Sequence, residues 1–126
     1  MRRASIAVLM LTAVWPLAAL AHHSFSAEYD RDKPVTVKGT VTKIEWTNPH
    51  IHFYVDSTDD KGTVTSWNFE MASPLALQRG GWTRKTLPVG AQVTVAGFSG
   101  RAVTERAVAN SIVLDGKPLF VGTPGQ

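Results

Sequence analysis

Alternating apolar and polar residues predict three strands in the first half of the chain. Residues 34–46, PVTVKGTVTKIEW, alternate strongly and are rich in Val and Thr, which indicates a strand. Its apolar positions change parity near Thr42–Lys43, and this switch predicts a β-bulge or a bend at the corner of a barrel. Residues 50–57 and 63–72 alternate as well, and the turn residues of 58–62 join them into a predicted hairpin.

The second half of the chain is predicted to add one short helix and two strands. Ser73 followed by Pro74 is typical of a helix N-cap and a first helical residue. Residues 92–100 and 107–120 alternate again, the latter with a turn at Asp115-Gly116. Because this order is that of an oligonucleotide/oligosaccharide-binding (OB) barrel, we expect a mainly β, small five-stranded OB-like barrel with one short helix between strands 3 and 4. A plain five- or six-stranded open barrel is the alternative.

The start of the chain predicts a signal peptide. Arg2 and Arg3 are followed by an apolar run too short to span a bilayer, and Ala19-Leu20-Ala21 has the small-x-small pattern of a cleavage site. We therefore expect a bacterial protein exported to the periplasm or secreted, with no membrane anchor after cleavage. The expected organisation is a signal peptide at 1–21, an extended arm at 22–33, a single barrel domain at 34–120 and a flexible tail at 121–126.

Charge narrows the expected classes of partner. Cleavage after Ala21 removes two arginines, which lowers the formal net charge from +3 for the full chain to about +1. A domain so close to neutral is a poor electrostatic ligand for polyanions, so we expect no nucleic acid and no anionic membrane as partner. The chain has no cysteine, which excludes disulfides and a lipid-modified cysteine anchor.

Four short motifs mark a family likeness that covers residues 22–122. They are HHSF at 22–25, WTNPH at 46–50, WNFE at 67–70 and GWTR at 81–84. With these motifs the chain resembles a family of small secreted bacterial proteins known only as a domain of unknown function. The resemblance implies secretion and a small β-rich domain, and it implies no activity.

The four histidines form two pairs. After cleavage His22 becomes the N-terminal residue, whose α-amine and imidazole chelate one metal ion, and His23 adds another imidazole. His50 and His52 lie two apart on a predicted strand and so project to the same face. Nitrogen donors without a thiolate favour copper, with zinc or nickel next.

Pairing across the predicted hairpin adds a carboxylate to this set. A register in which paired residue numbers sum to 120 places His50 opposite Glu70 and His52 opposite Asn68, whereas a slip of two would change the partners but keep the face. Glu70 is then either a further ligand or a partner that holds an imidazole from behind. The predicted metal ligands are His22, His23, His50, His52 and Glu70.

Three functional hypotheses follow from these residues. The first is a non-enzymatic module that binds copper and has no other cofactor. The second is a metal-independent module whose ligand face, formed by Trp46, Tyr54 and Asn68 beside His52, holds a small molecule, a glycan or another envelope protein. In this second interpretation the histidines are an ordinary polar face. The third is an enzyme in which a copper–histidine terminus activates oxygen, which the short chain without an evident substrate cleft disfavours.

Overall fold

The computed structural model describes residues 24–122, and these residues form two short helices and six strands. In chain order the elements are α1 Ser24–Glu28, β1 Tyr29–Glu45, β2 His52–Thr58, β3 Val64–Glu70, α2 Pro74–Arg79, β4 Gln92–Gly100, β5 Arg106–Leu114 and β6 Lys117–Val121. The predicted signal peptide, His22, His23 and residues 123–126 lie outside the described residues. Neither α1 nor α2 is long and apolar enough to cross a bilayer.

The first five strands close into a ring. The sheet order is β3-β2-β1-β4-β5-β6 with antiparallel neighbours, and β3 also pairs with β5 in parallel over three residue pairs, from Asn68–Arg106 to Glu70–Val108. The predicted mainly β, OB-like barrel with a helix between strands 3 and 4 is therefore confirmed. A sixth strand arises because the turn at Asp115 and Gly116 divides the predicted fifth strand into β5 and β6, which pair with each other.

Strand β1 is long enough to pair with both β2 and β4. Its register with β2 shifts between Val41 and Lys43, which confirms the predicted bulge. Gly39 is required where β1 passes β2, since a Cβ there would lie 2.1 Å from the carbonyl oxygen of Asp56. The bulge and the glycine together let one strand serve two neighbours.

Apolar side chains fill the interior of the barrel. The rings of Phe53 and Phe69 stack there with centroids 5.3 Å apart, and both are fully buried. Trp67 is partly buried and packs against this core, as its parity in β3 predicts. The other core residues are Val37, Val41, Ile51, Val55, Met71, Leu77, Leu87, Val93, Val95, Ala107, Ala109 and Ile112.

Helix α2 begins where the sequence predicts. The Oγ of Ser73 accepts a hydrogen bond from the backbone N–H of Ala76 at 3.2 Å, and Pro74 is the first helical residue. Leu77 is the residue that this short helix buries against the barrel.

The N-terminal arm differs from its predicted extended form. Residues 24–28 form α1, and β1 begins at Tyr29 rather than at residue 34. The rings of Phe25 and Tyr29, one helical turn apart, lie 5.6 Å from each other. Arg101, in the β4–β5 connection, donates from its side chain to the carbonyl of Ser26 and from its backbone to the carbonyl of Glu28, which fixes the helix on the barrel.

Candidate functional site

The turn of the β2–β3 hairpin sets the register of the candidate site. The carboxylate of Asp59 accepts hydrogen bonds from the backbone N–H groups of Lys61 and Thr63 at 2.9 and 2.8 Å, and the Asp59 N–H donates to the Thr63 carbonyl. This Asx-type turn closes the hairpin between residues 59 and 63. The predicted sum of 120 is therefore wrong by two, and His52 lies opposite Glu70 in the ladder.

The side chains nevertheless meet as diagonal neighbours. Nδ1 of His52 lies 2.9 Å from Oδ1 of Asn68, and Nδ1 of His50 lies 2.5 Å from Oε1 of Glu70. The side chain of each histidine thus contacts a residue two positions earlier in sequence than the residue directly opposite it. The twist of an antiparallel pair allows such diagonal contacts. His50 itself precedes β2 instead of belonging to it, although hydrogen bonds of Ile51 continue the ladder between the two.

Glu70 is the centre of a polar cluster on the outer face of β3. Its side chain is only 11% exposed, and Oε1 is held by His50. Oε2 accepts a hydrogen bond from the hydroxyl of Tyr29 and lies 3.7 Å from the guanidinium of Arg106. A buried carboxylate requires such donors, since removing it from water is costly unless it is paired. Both oxygens of Glu70 are thus already engaged.

Tyr29 is a buried hydroxyl donor in this cluster. Its pKa is raised well above the ordinary tyrosine value of about 10, first by burial and then by the hydrogen bond and negative charge of Glu70. The phenol therefore keeps its proton and donates it toward the carboxylate. Tyr29 comes from the first residue of β1, so the N-terminal arm supplies one wall of the cluster.

A second hydrogen-bonded chain runs across the face to His52. The side-chain amide nitrogen of Asn68 donates to the hydroxyl of Tyr54 at 3.4 Å, and this hydroxyl donates to Glu45 at 3.2 Å. The pKa of Tyr54 is raised by partial burial and then by its bond to Glu45, whose own pKa is lowered by its hydrogen bond with Lys43. Because the Tyr54 hydroxyl donates its proton to Glu45, it accepts a hydrogen bond from the amide nitrogen of Asn68. The amide oxygen of Asn68 therefore faces His52.

The two histidines therefore share one arrangement. Nδ1 of each ring faces a side-chain oxygen, and a ring that is neutral with its proton on Nδ1 has its lone pair on Nε2. The side chain of His50 is 45% exposed. Within residues 24–122, no three His, Asp or Glu side chains are grouped so as to hold a metal ion. His22 and His23, the other two predicted ligands, lie outside the described residues.

Trp46 is less open than a stacking platform would be. Its ring packs partly buried against the core, and the guanidinium of Arg84 lies 5.8 Å from the ring centroid. Two shallow depressions, of about 260 and 470 Å³, are lined by residues of β4, β5 and β6, by the turn at Asp115 and Gly116, and by Lys38, with no histidine among them. The predicted ligand face of Tyr54, Asn68 and His52 is a hydrogen-bonded surface.

Sequence reasoning missed two members of the cluster, Tyr29 and Arg106. Tyr29 was assigned to the extended arm, outside the predicted barrel, and it meets Glu70 across 41 positions of the chain. Arg106 also bonds Glu28, a contact across 78 positions. Since these partners are brought together only by closure of the barrel, no local pattern marks them.

The fold and this polar face define a small OB-type barrel that presents two oriented histidines. The family model described as "Family of unknown function (DUF6152)" matches residues 10–109, and the chain belongs to that family. The family resemblance carried by the four motifs is therefore confirmed. Among curated proteins, none matches the chain.

Solved structures similar to the chain include single-stranded DNA binding proteins. The mitochondrial single-stranded DNA binding protein Rim1 from S. cerevisiae is 13% identical, with 68% of this chain and 95% of that chain covered and a TM-score of 0.52. The N-terminal domain of PriB from Thermoanaerobacter tencongensis is 19% identical, with 66% and 96% covered and a TM-score of 0.49. The likeness to Rim1 shows the fold alone.

This likeness corrects one prediction. The exclusion of nucleic acid as a partner rested on the small net charge, and it is wrong on this finding, because the same architecture occurs in a single-stranded DNA binding protein. Net charge alone does not decide what such a barrel binds.

Proposed function

We propose that the mature protein is a secreted or periplasmic, non-enzymatic module that binds a transition metal ion, with copper favoured, at the histidine face of β2 and β3. The observation that carries the proposal is the shared arrangement of His50 and His52. Each ring has Nδ1 held by a side-chain oxygen, which is how proteins orient a metal-binding imidazole and choose Nε2 as the ligand atom.

The remaining donors would come from the processed N-terminus. His22 offers its α-amine and imidazole, and His23 offers a further imidazole. A helix of five residues, as α1 is, spans about 7–8 Å, and two extended residues span at most about 7 Å. The chain between Tyr29, which touches Glu70, and His22 is thus short enough for the terminus to approach His50.

Glu70 was predicted either to bind the metal or to hold an imidazole from behind, and in this proposal it holds the imidazole of His50. Its oxygens already accept from His50 and Tyr29, so it orients His50 without needing to coordinate the metal. Nitrogen ligands without a thiolate suit copper best, and zinc or nickel would compete by availability.

The test uses protein secreted through its own signal peptide, because only cleavage after Ala21 creates the amine of His22. Intact mass identifies the N-terminus, and Cu(II) titration followed by electron paramagnetic resonance counts sites and nitrogen donors. We expect one tight site with nitrogen-rich splittings, and His50→Ala should raise the Kd by more than about tenfold. Thr65→Ala, on the same hairpin, is the control and should leave the Kd unchanged.

The alternative is metal-independent binding on the face of Trp46, Tyr54 and Asn68. Its support is the hydrogen-bonded surface that links Tyr54 and Asn68 to His52. A fluorescent single-stranded oligonucleotide and a glycan panel, each tested with a chelator present, examine this alternative directly. Tight binding under those conditions, together with weak and heterogeneous Cu(II) binding, would overturn the metal proposal.

An oxidative copper enzyme is a separate possibility with its own readout. It requires reductant-dependent peroxide formation by the copper-loaded protein. A rate no higher than that of His22→Ala is the result we expect for a non-enzymatic module, and a clearly higher rate would contradict that part of the proposal.

A further inference from the structure

We infer that the N-terminal arm orients His50 and fixes its tautomer, acting through Tyr29 and Glu70. The arm is then part of the histidine site and not only a tether for His22. The consequence for copper rests on the proposed function, whereas the effect on His50 belongs to the metal-free protein.

The first link holds the arm on the barrel. The guanidinium of Arg101 donates to the carbonyl of Ser26 at 2.7 Å and lies 3.4 Å from the carboxylate of Asp30. Its backbone N–H donates to the carbonyl of Glu28 at 2.8 Å. Arg106 adds an ion pair with Glu28 at 3.3 Å. Two arginines from one side of the barrel therefore hold the middle and the C-terminal end of α1.

The second link is Tyr29, which connects the docked helix α1 to the polar cluster around Glu70. Tyr29 follows α1 directly, is only 2% exposed, and pairs with Gly100 in β4. Its hydroxyl is therefore held in one place, and from there it donates to Oε2 of Glu70. A buried donor on a fixed backbone restricts the rotation of the carboxylate it bonds.

The third link is the carboxylate itself. With Oε2 fixed by Tyr29 and faced by Arg106, Glu70 directs Oε1 at Nδ1 of His50. His50 is half exposed and precedes β2, so no strand pairing of its own residue orients the ring. The bond to Glu70 is the contact that selects the Nδ1–H tautomer and leaves Nε2 for a metal.

Nuclear magnetic resonance of the metal-free mature protein tests the inference. Long-range ¹H–¹⁵N spectra at about pH 8.5, where an ordinary imidazole is neutral, report the tautomer of each histidine. In the parent protein we expect His50 and His52 both as Nδ1–H. Tyr29→Phe, which keeps the ring but removes the hydroxyl, should turn His50 into a mixture of tautomers and leave His52 unchanged.

Tyr54→Phe is the matched control, because it removes the other tyrosine hydroxyl. Tyr54 bonds Asn68, so this variant should disturb His52 and spare His50. An unchanged His50 tautomer in folded Tyr29→Phe overturns the inference, and so does an equal change in both histidines.

Arg101→Gln separates docking of the arm from loss of the hydroxyl. This variant leaves every contact of Glu70 in place but loosens α1, so we expect the His50 signals to shift in the same direction as in Tyr29→Phe. Arg79→Gln, at the end of α2, is the control for loss of an arginine. If Arg101→Gln has the His50 spectrum of the parent, the arm does not control the ring.

Cu(II) titration then tests the copper consequence. Tyr29→Phe should raise the Kd about 10-fold, within the range of about 10–100-fold typical for partners behind a metal ligand. A parent protein that binds no Cu(II) refutes the proposed function while the tautomer result stands. A normal Kd in Tyr29→Phe, with an altered His50 tautomer, refutes the copper consequence alone.

Discussion

Glu70 lies directly opposite His52 in the β2–β3 ladder, yet its carboxylate contacts His50, while His52 contacts Asn68. This diagonal pairing lets two histidines on neighbouring positions of one face have separate oxygen partners. Both partners come from β3, and each belongs to its own hydrogen-bonded group, one centred on Glu70 and the other ending at Lys43.

Loss of the Glu70 carboxylate should destabilise the fold. Glu70→Ala leaves the Tyr29 hydroxyl buried without its acceptor, a change that costs about 1–3 kcal/mol of unfolding free energy. Urea denaturation measures this cost. Glu105→Ala, at an exposed position, is the matched control and should fall within about 0.5 kcal/mol of the parent. Equal stabilities for the two variants would show that the cluster contributes nothing to folding.

Asn68→Leu should release His52. Leucine is similar in size but accepts no hydrogen bond, so the Nδ1–H tautomer loses its partner. If the protein binds copper as proposed, the Kd of Asn68→Leu for Cu(II) should be about 10-fold higher than that of the parent. Thr65→Val on the same strand serves as the control. A parent-like Kd in Asn68→Leu would remove His52 from the set of ligands.

The barrel should not tolerate a methyl group at Gly39 or Gly97. A Cβ at these positions would lie 2.1 Å from the Asp56 carbonyl oxygen and 1.9 Å from that of Val108. Because both obstacles are backbone atoms, each alanine variant should lose at least about 2–3 kcal/mol or fail to fold. Gly80→Ala, whose Cβ would lie 3.3 Å from the Leu77 carbonyl oxygen, is the milder control. Thermal melts that rank Gly80→Ala lowest would contradict this account.

Core truncation should cost far more than truncation at the surface. Phe53 is fully buried and stacked on Phe69, so Phe53→Ala should lose about 3–5 kcal/mol. Val64→Ala removes methyl groups from a side chain that is 58% exposed, and its effect should stay within about 0.5 kcal/mol. The difference between the two denaturation midpoints is the measurement.

Ionisation of the tyrosines should make the metal-free fold less stable in alkali. The pKa of Tyr29 and that of Tyr54 are raised in the folded state, so the folded state holds both protons more tightly. Their contribution is complete below about pH 10, the unfolded value, and is lost as the pH rises toward the folded values. Tyrosinate absorbance in native and urea-unfolded protein measures the shift. Titration of the folded protein at about pH 10 would contradict the burial of Tyr29.

The barrel could be predicted from the sequence because the signals for its strands, its bulge and helix α2 are local. Alternation marked β2, β3 and β4, the parity switch marked the bulge between Val41 and Lys43, and Ser73-Pro74 marked α2. Each of these signals depends on residues within one strand or one turn. The fold class follows from their order along the chain.

Local sequence patterns could not predict two features of the site, namely the exact hairpin register and the distant partners of Glu70. Alternation does not distinguish hairpin registers that differ by two residues, and the turn in which Asp59 accepts from Lys61 and Thr63 belongs to the register with His52 opposite Glu70. Tyr29 and Arg106 meet Glu70 only after distant strands pair, so composition near each residue carries no trace of the contact. Helix α1 was missed for the same reason, since Arg101 holds it from the other end of the chain.

The lengths of chain between contacting residues imply an order of assembly. The turn at Asp59 joins residues four positions apart, whereas the contact of Glu28 with Arg106 joins residues 78 apart. Short loops close with less loss of entropy and sooner than long ones. The hairpin that holds His52 and Asn68 should therefore become protected from hydrogen exchange early in refolding, and α1 late. His50 would then gain its orientation only at the final step, when α1 joins β5 and the β4–β5 connection.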